Sequence, residues 1–272
     1  FIHKFLRDIG KVKSSEPFAK LIHQGTITNN GAKMSKSKGN VVNPGQFIDF
    51  YGSDVFRMYL MFMGPYDLGG DWNDKGIVGV ERFVQRTYQL FESNPNFIKR
   101  FVPKGKYDLN DLNQAEKEIY QKVNQSLNKY ETEMENFRFN TTIAVMMELL
   151  NEITKKFNSV KDELKSYVLE RFAAMLSPVA PHFGEECWQI LGEENSIFKN
   201  PVWFDVDEAA LTVDLVVIGV QVNGKMRAKL ELPVDSSEDI VKSAAYADAK
   251  VQRHTEGLNI VKEIYVKNRI FN

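Results

Sequence analysis

The chain has 272 residues, 43% of them hydrophobic and 26% charged, with a formal net charge of −1. That length suggests roughly two domains, each able to bury its own core, and the near-neutral balance excludes bulk capture of nucleic acid while leaving room for a local basic patch. Cys187 is the single cysteine, which excludes an intramolecular disulfide framework and fits a reducing, cytoplasmic setting, and no apolar run approaches the roughly 20 residues that span a bilayer. The chain opens Phe1-Ile2-His3-Lys4, with neither an initiator methionine nor a signal-peptide pattern, and is expected to be a piece of something larger.

Residues 21–27 read as a short strand or strand end feeding a turn at Asn29-Asn30-Gly31. Asn43-Pro44 reads as a helix start, with Asn43 as cap and Pro44 in the first helical position. Ser53-Asp54 reads as a second start, before Val55, Tyr59, Phe62 and Met63, and the glycine-rich residues 64–74 read as a loop. From Lys75 to about Leu191 the helical period dominates. Ile77, Val80, Phe83, Val84, Tyr88 and Phe91 mark one helix, and Ile119, Val123, Leu127 and Tyr130 a second. Ile143, Met146, Met147, Leu150 and Ile153 mark a third, and Val168, Phe172, Met175 and Leu176 a fourth. Phe183, Cys187, Trp188 and Leu191 resume the pattern after Pro178 and Pro181, and the whole predicts an antiparallel helical bundle.

After about residue 212 the period becomes two. Val213, Leu215 and Val217, with Val216 and Ile218 opposite, predict a strand buried on both faces or nearly so. Residues 220–222, the turn Asn223-Gly224 and residues 225–232 predict a hairpin, since Asn-Gly is a strong hairpin signal. Ser236-Ser237-Glu238-Asp239 can cap a helix to about Lys250, and residues 260–267 read as a returning strand. The fold class is therefore mainly α with α/β parts. Its predicted divisions are residues 1–74 as the end of a nucleotide-binding domain, 75–205 as the bundle and 206–272 as a small α/β module.

Chemistry concentrates at Lys33-Met34-Ser35-Lys36-Ser37-Lys38, flanked by Gly31 and Gly39. Ammonium groups on a loop that can close over a polyphosphate stabilise the charge growing on a pyrophosphate leaving group, and serine hydroxyls add short hydrogen bonds. Lys33 and Lys36 are the candidate catalytic cations, with Ser35 and Ser37 beside them. On composition alone a solvated basic turn is the stronger reading, and the glycine spacing is not that of a P-loop. In the C-terminal module Lys225, Arg227 and Lys229 fall at i, i+2 and i+4, which on a regular strand puts them on one face as a cationic row. An ordinary solvated strand face is an equal reading. His182, Glu185, Glu186 and Cys187 lack a second His or Cys at ligand spacing, so no metal site is expected, and Cys187 is placed in the core. Met58, Met61, Met63, Met146 and Met147 are expected to fill core gaps, and Trp72 to have a packing role.

The five residues Lys33-Met34-Ser35-Lys36-Ser37 resemble the signature loop of class I aminoacyl-tRNA synthetases letter for letter. The text from Gly31 to Pro44 with Tyr51-Gly52-Ser53-Asp54, and residues 177–186, resemble the subgroup handling branched aliphatic amino acids and methionine. Residues 61–65 with Trp72-Asn73, and residues 220–227, are similar to leucyl-tRNA synthetases. The resemblance implies a C-terminal fragment of a leucine–tRNA ligase, with ATP and Mg²⁺ as cofactors of the parent, leucine and tRNA(Leu) as its substrates, and a cytoplasmic, membrane-free monomer. It also implies that Lys36 contacts the ATP phosphates with Lys33 assisting, that Ser35 and Ser37 steady the loop, and that Lys225, Arg227 and Lys229 meet tRNA. None of His3, His23, His182 and His254 forms the His-Ile-Gly-His-like motif of the family, so leucine and ATP are expected to reach this chain through an absent N-terminal half. The fragment is accordingly expected to be inactive alone, with Lys33 and Lys36 weakly held. Valyl or isoleucyl relatives and a stand-alone RNA-binding module are the alternatives.

Overall fold

The computed structural model describes residues 1–211, 215–234, 236–257 and 260–272, and divides into two compact units, Phe1–Val206 and Asp207–Asn272. The first unit opens with helix α1 (Ile2–Asp8), none of whose residues is buried. A three-stranded sheet follows, made of β1 (Thr26–Asn29), β2 (Ala32–Lys33) and β3 (Gly69–Trp72) in the order β2-β1-β3. β1 runs antiparallel to β2 and parallel to β3. The strand β3 lies within residues 64–74, where composition predicts only a loop. Glycines on both sides make the pairing possible: a Cβ on Gly25, just before β1, would stand 2.0 Å from the Gly69 nitrogen, and one on Gly69 2.3 Å from the Thr26 oxygen.

Between β2 and β3 lie α2 (Pro44–Tyr51) and α3 (Ser53–Phe62). Asn43 caps α2 as predicted, its Oδ1 accepting from the Gly45 N–H at 3.0 Å. Gly52, at φ +85°, turns the chain between the two helices. Trp72 ends β3 in an aromatic cluster with Phe47 (4.8 Å between ring centres), Tyr59 (5.2 Å) and Phe56 (6.0 Å), the packing role expected of it.

Helices α4 (Ile77–Glu92), α5 (Phe97–Arg100), α6 (Gln114–Glu135), α7 (Phe139–Lys156), α8 (Asp162–Leu176) and α9 (Pro181–Ile190) complete the unit. The periodic residues named above are its core: Ile77, Val80, Ile119, Val123, Leu127, Ile143, Met146, Leu150, Ile153 and Phe172 are fully buried. Val84, Met147 and Phe183 are only partly buried, and Tyr88 is exposed on α4. Helix α8 is buried on nearly every side and touches α5, α6, α7 and α9. Asn113 and Glu116 form a capping box on α6, each carboxamide or carboxylate accepting from the other's backbone N–H at 3.0 Å. The second Glu116 oxygen accepts from the Lys161 N–H at 3.1 Å, so one buried carboxylate fastens the starts of α6 and α8. Cys187 lies in this core, where burial raises its thiol pKa and leaves it inert.

The second unit is a four-stranded sheet of β4 (Leu215–Val222), β5 (Lys225–Pro233), β6 (Tyr265–Val266) and β7 (Ile270–Phe271), in the order β5-β4-β7-β6. Helices α10 (Glu238–Ala247) and α11 (Ala249–Thr255) cover one face. Ile218, Val220, Ala228 and Phe271 meet Val241, Ala245 and Val251 there. Three expectations change. Leu215 and Val217 are exposed, so β4 is buried on one face only, and Val213 lies outside the described residues. The helix predicted to Lys250 breaks at Asp248, whose carboxylate caps α11 by accepting from the Lys250 and Val251 N–H groups. The returning strand shrinks to Tyr265–Val266, because the chain reverses at once through Asn268, at φ +59°, into β7.

Candidate functional site

The lysine-serine segment sits on the β1–β2 hairpin. Asn30 and Gly31, at φ +53° and +71°, form its two-residue turn, the left-handed pair that twists in the sense of the strands. One acidic residue holds that turn from another element. Asp71 Oδ1, on β3, accepts from the Thr28 hydroxyl at 2.6 Å and from the Gly31 N–H at 2.9 Å. The Thr28 hydrogen bond first, and the Gly31 bond second, hold the Asp71 carboxyl below its usual pKa.

Lys33 ends β2, paired with Thr28. Residues Lys36–Lys38 form a single 3₁₀ turn, for which Ser35 is the cap: its Oγ accepts from the Lys38 N–H at 3.3 Å and lies 3.1 Å from Ser37 Oγ. Gly39, at φ +64°, ends the turn. Asn40 then ties both sides together. Its Oδ1 accepts from the Ser35 N–H at 2.9 Å, its Nδ2 donates to Lys33 O at 3.3 Å, and its own carbonyl accepts from Asn29 Nδ2 at 3.0 Å. The backbone is therefore internally fastened, where the sequence led us to expect weak holding. The lysine heads differ from the backbone. Lys33, Lys36 and Lys38 are exposed and make no ion pair among the described residues. Two of these cations, Lys36 and Lys38, stand on the pinned turn and Lys33 on the strand that leads into it.

A polar cleft adjoins this turn, with a volume of about 570 Å³. Asn29, Asn30, Asn43, Asn73 and Trp72 are among the residues lining it. Asp71 and Asn40 were not singled out from the sequence. Asn40 follows a glycine directly after the serines, which is a local signal; Asp71 stands 40 residues from the amide it accepts, which is not.

The structure places Lys33 at the end of β2 and Ser35, Lys36 and Ser37 at the turn directly after it. It does not assemble the cationic row of the second unit. In the β4–β5 ladder, Val222 pairs with Lys225 and Gln221 with Met226, but Val220 pairs with Ala228, leaving Arg227 as an inserted residue. Past that bulge Lys229 pairs with Gly219. Lys225 thus shares the face of Val222 and Lys229 the opposite face, that of Gly219. Met226 takes the place over Gly219, its sulfur 3.1 Å from where a Cβ would stand. Among the described residues, no group of three or more His, Cys, Asp or Glu side chains could hold a metal ion, and no helix is long and apolar enough to cross a membrane.

Two family models match the chain: one described as tRNA synthetases class I (I, L, M and V), over residues 8–71, and one described as the anticodon-binding domain of tRNA ligase, over residues 116–242. The whole chain aligns with a leucine–tRNA ligase of Petrotoga mobilis at 42% identity and with one of Thermosipho melanesiensis at 43%, covering 33% of each relative. The chain thus spans about a third of the length of the curated relatives it matches. A crystal structure of a ternary complex of Agrobacterium radiobacter K84 LeuRS with tRNA and LeuAMS superposes with a TM-score of 0.76 at 29% identity, over 100% of this chain and 35% of that one.

Proposed function

We propose that this chain, which belongs to the leucine–tRNA ligase family of class I aminoacyl-tRNA synthetases, supplies the phosphate-facing loop and the tRNA-facing surfaces of a cytoplasmic, monomeric enzyme that activates leucine with ATP and transfers it to tRNA(Leu). One observation carries this reading: Lys33 at the end of β2, and Ser35, Lys36 and Ser37 at the 3₁₀ turn that follows, lie on one backbone-pinned segment, with the lysine heads exposed and unpaired among the described residues. In adenylate formation negative charge grows on the departing pyrophosphate, so a fixed cation favours the transition state over the bound substrate. Lys36 takes that role, with Lys33 assisting. Ser35 accepts from the Lys38 amide, which leaves its hydroxyl hydrogen free for Ser37 or for a phosphate oxygen. Among the described residues no group of three or more His, Cys, Asp or Glu side chains could seat a metal ion, and Mg²⁺ would arrive as the counter-ion of the nucleotide.

Residues 1–74 are assigned to the end of the catalytic domain, 75–205 to a bundle that supports and contacts the tRNA body, and 206–272 to a further tRNA-contacting module. In that module Lys225, Arg227 and Lys229 remain the proposed phosphate contacts, but as cations around a bulge and not as a single row. The test is leucine-dependent ATP–pyrophosphate exchange. The chain alone is expected to show none. Joined to the remaining two thirds of a relative it should show exchange, and Lys36→Ala in that protein should lower kcat by about 100-fold or more, the size seen when one transition-state donor is lost. Exchange by the chain alone, or an unaltered rate in Lys36→Ala, would overturn the reading. Tight tRNA binding without exchange in the joined protein would instead favour a plain RNA-binding module.

A further inference from the structure

In sequence, Asp54 stands in the first turn of its own helix, where Ser53-Asp54 reads as a helix start. In the structure its carboxylate leaves α3 for the corner between α8 and α9. Oδ2 accepts from the Phe183 N–H at 2.6 Å, and Oδ1 lies 3.1 Å from His182 Nδ1. One turn later Arg57 reaches the other side of the same corner: Nε donates to Val179 O at 3.1 Å and Nη2 to Pro178 O at 3.3 Å. These are groups that the corner cannot satisfy alone. The Phe183 N–H is among the unpaired donors at the start of α9, and the carbonyls follow the end of α8. An anion meets a helix start and a cation a helix end, so both pairings also follow the helix dipoles. The corner has little slack. A Cβ on Gly184 would stand 2.6 Å from Ser177 Cα, so α9 turns directly on the end of α8.

The far end of α3 grips the loop's sheet. Tyr59 Oη donates to Asn73 O at 2.7 Å and accepts from the Asn73 N–H at 3.2 Å, while its ring packs on Trp72. Trp72 pairs with Asn29, whose side chain holds Asn40. A continuous set of bonds thus runs from the α8–α9 corner to the turn bearing Lys36.

We infer that Asp54 and Arg57 are positioning residues for the lysine-serine loop: they lock α3 to the α8–α9 corner, and the Trp72 cluster passes that placement to β1 and β2. The inference rests on the ATP reading for what the loop does, but the link itself does not need ATP. It is tested on this chain by hydrogen exchange. Asp54→Ala and Arg57→Ala should each speed exchange in residues 26–40 by about tenfold or more, the scale of a lost charged hydrogen bond. Exchange in α6 and α7 should be unchanged. Asp54→Asn keeps an acceptor for the Phe183 N–H and should restore most of the protection. Arg138→Ala, which breaks a comparable pair with Glu133 at the end of α6, should leave residues 26–40 untouched. Normal exchange there in Asp54→Ala and Arg57→Ala, despite faster exchange at the start of α9, would overturn the inference, as would an equal effect of Arg138→Ala. If the alanine variants do not fold, Arg57→Lys, which loses the forked pair of donors to Pro178 and Val179, should still speed exchange in residues 26–40 at smaller amplitude, and unchanged exchange there would overturn the inference. Failure of the ATP reading, seen as full exchange activity in Lys36→Ala, would leave this result standing.

Discussion

Two hairpins in this molecule share one local code and put it to different ends. Both turn on Asn-Gly with left-handed backbone, at φ +53° and +71° for Asn30-Gly31 and +52° and +74° for Asn223-Gly224. In both, the turn glycine donates its N–H to a side chain far away in sequence: Asp71 Oδ1 at 2.9 Å for Gly31, Asn272 Oδ1 at 3.1 Å for Gly224. Beyond the turn they diverge. The first hairpin is barely two residue pairs long and depends on β3, an aromatic cluster and Asn40 to present its loop. The second has long strands and a helical cover, and spends one residue on a bulge that reassigns its faces. A turn is therefore set by its own residues, while what it displays is set by its neighbours.

The glycines of the two sheets should separate this most sharply. Gly25→Ala would drive a Cβ into the backbone of Gly69 at 2.0 Å, and backbone cannot yield, so a loss of roughly 3 kcal/mol or more is expected in urea unfolding. Gly219→Ala meets instead the Met226 methyl at 2.7 Å, the far end of a flexible side chain, and should cost about 1 kcal/mol. Met226→Ala should relieve part of that loss. Equal costs for the two glycine variants would break the comparison.

Salt dependence probes the bulge. If the face of Lys229 meets RNA phosphates, Lys229→Ala should weaken tRNA binding and flatten the logarithmic salt slope by about one. Lys225→Ala, on the other face, should change it less. Equal effects of Lys225→Ala and Lys229→Ala would mean that the bulge does not divide the contact surface.

The smallest effect is a pH difference between the turns. The Asp71 pKa lies below its ordinary 3.8, so the stability it lends the first turn is present above that value and is lost as pH falls through the depressed one. The Gly31 amide resonance should therefore shift on acidification below about pH 4, and that shift should vanish in Asp71→Asn. Gly224, whose acceptor is a neutral carboxamide, should show no such step.

Much was legible in the sequence. Helical period marked the core of the bundle, because one buried stripe per helix is a property of spacing alone. Asn43-Pro44 announced α2 and both Asn-Gly pairs announced turns, since caps and left-handed backbone are chosen by the residues themselves. The cationic loop was visible for the same reason: its lysines and serines are contiguous. Tertiary structure decided the rest. Glycines that read as a loop became β3 once β1 lay close enough to exclude any Cβ. Lys225, Arg227 and Lys229 lost their common face to one inserted residue, which alternation in sequence cannot reveal. Asp71 and Asp54 each hold backbone groups, 40 and 129 residues away, and no local pattern points across such distances. Sequence chose the charges on the loop; only packing decided what would hold the backbone that carries them.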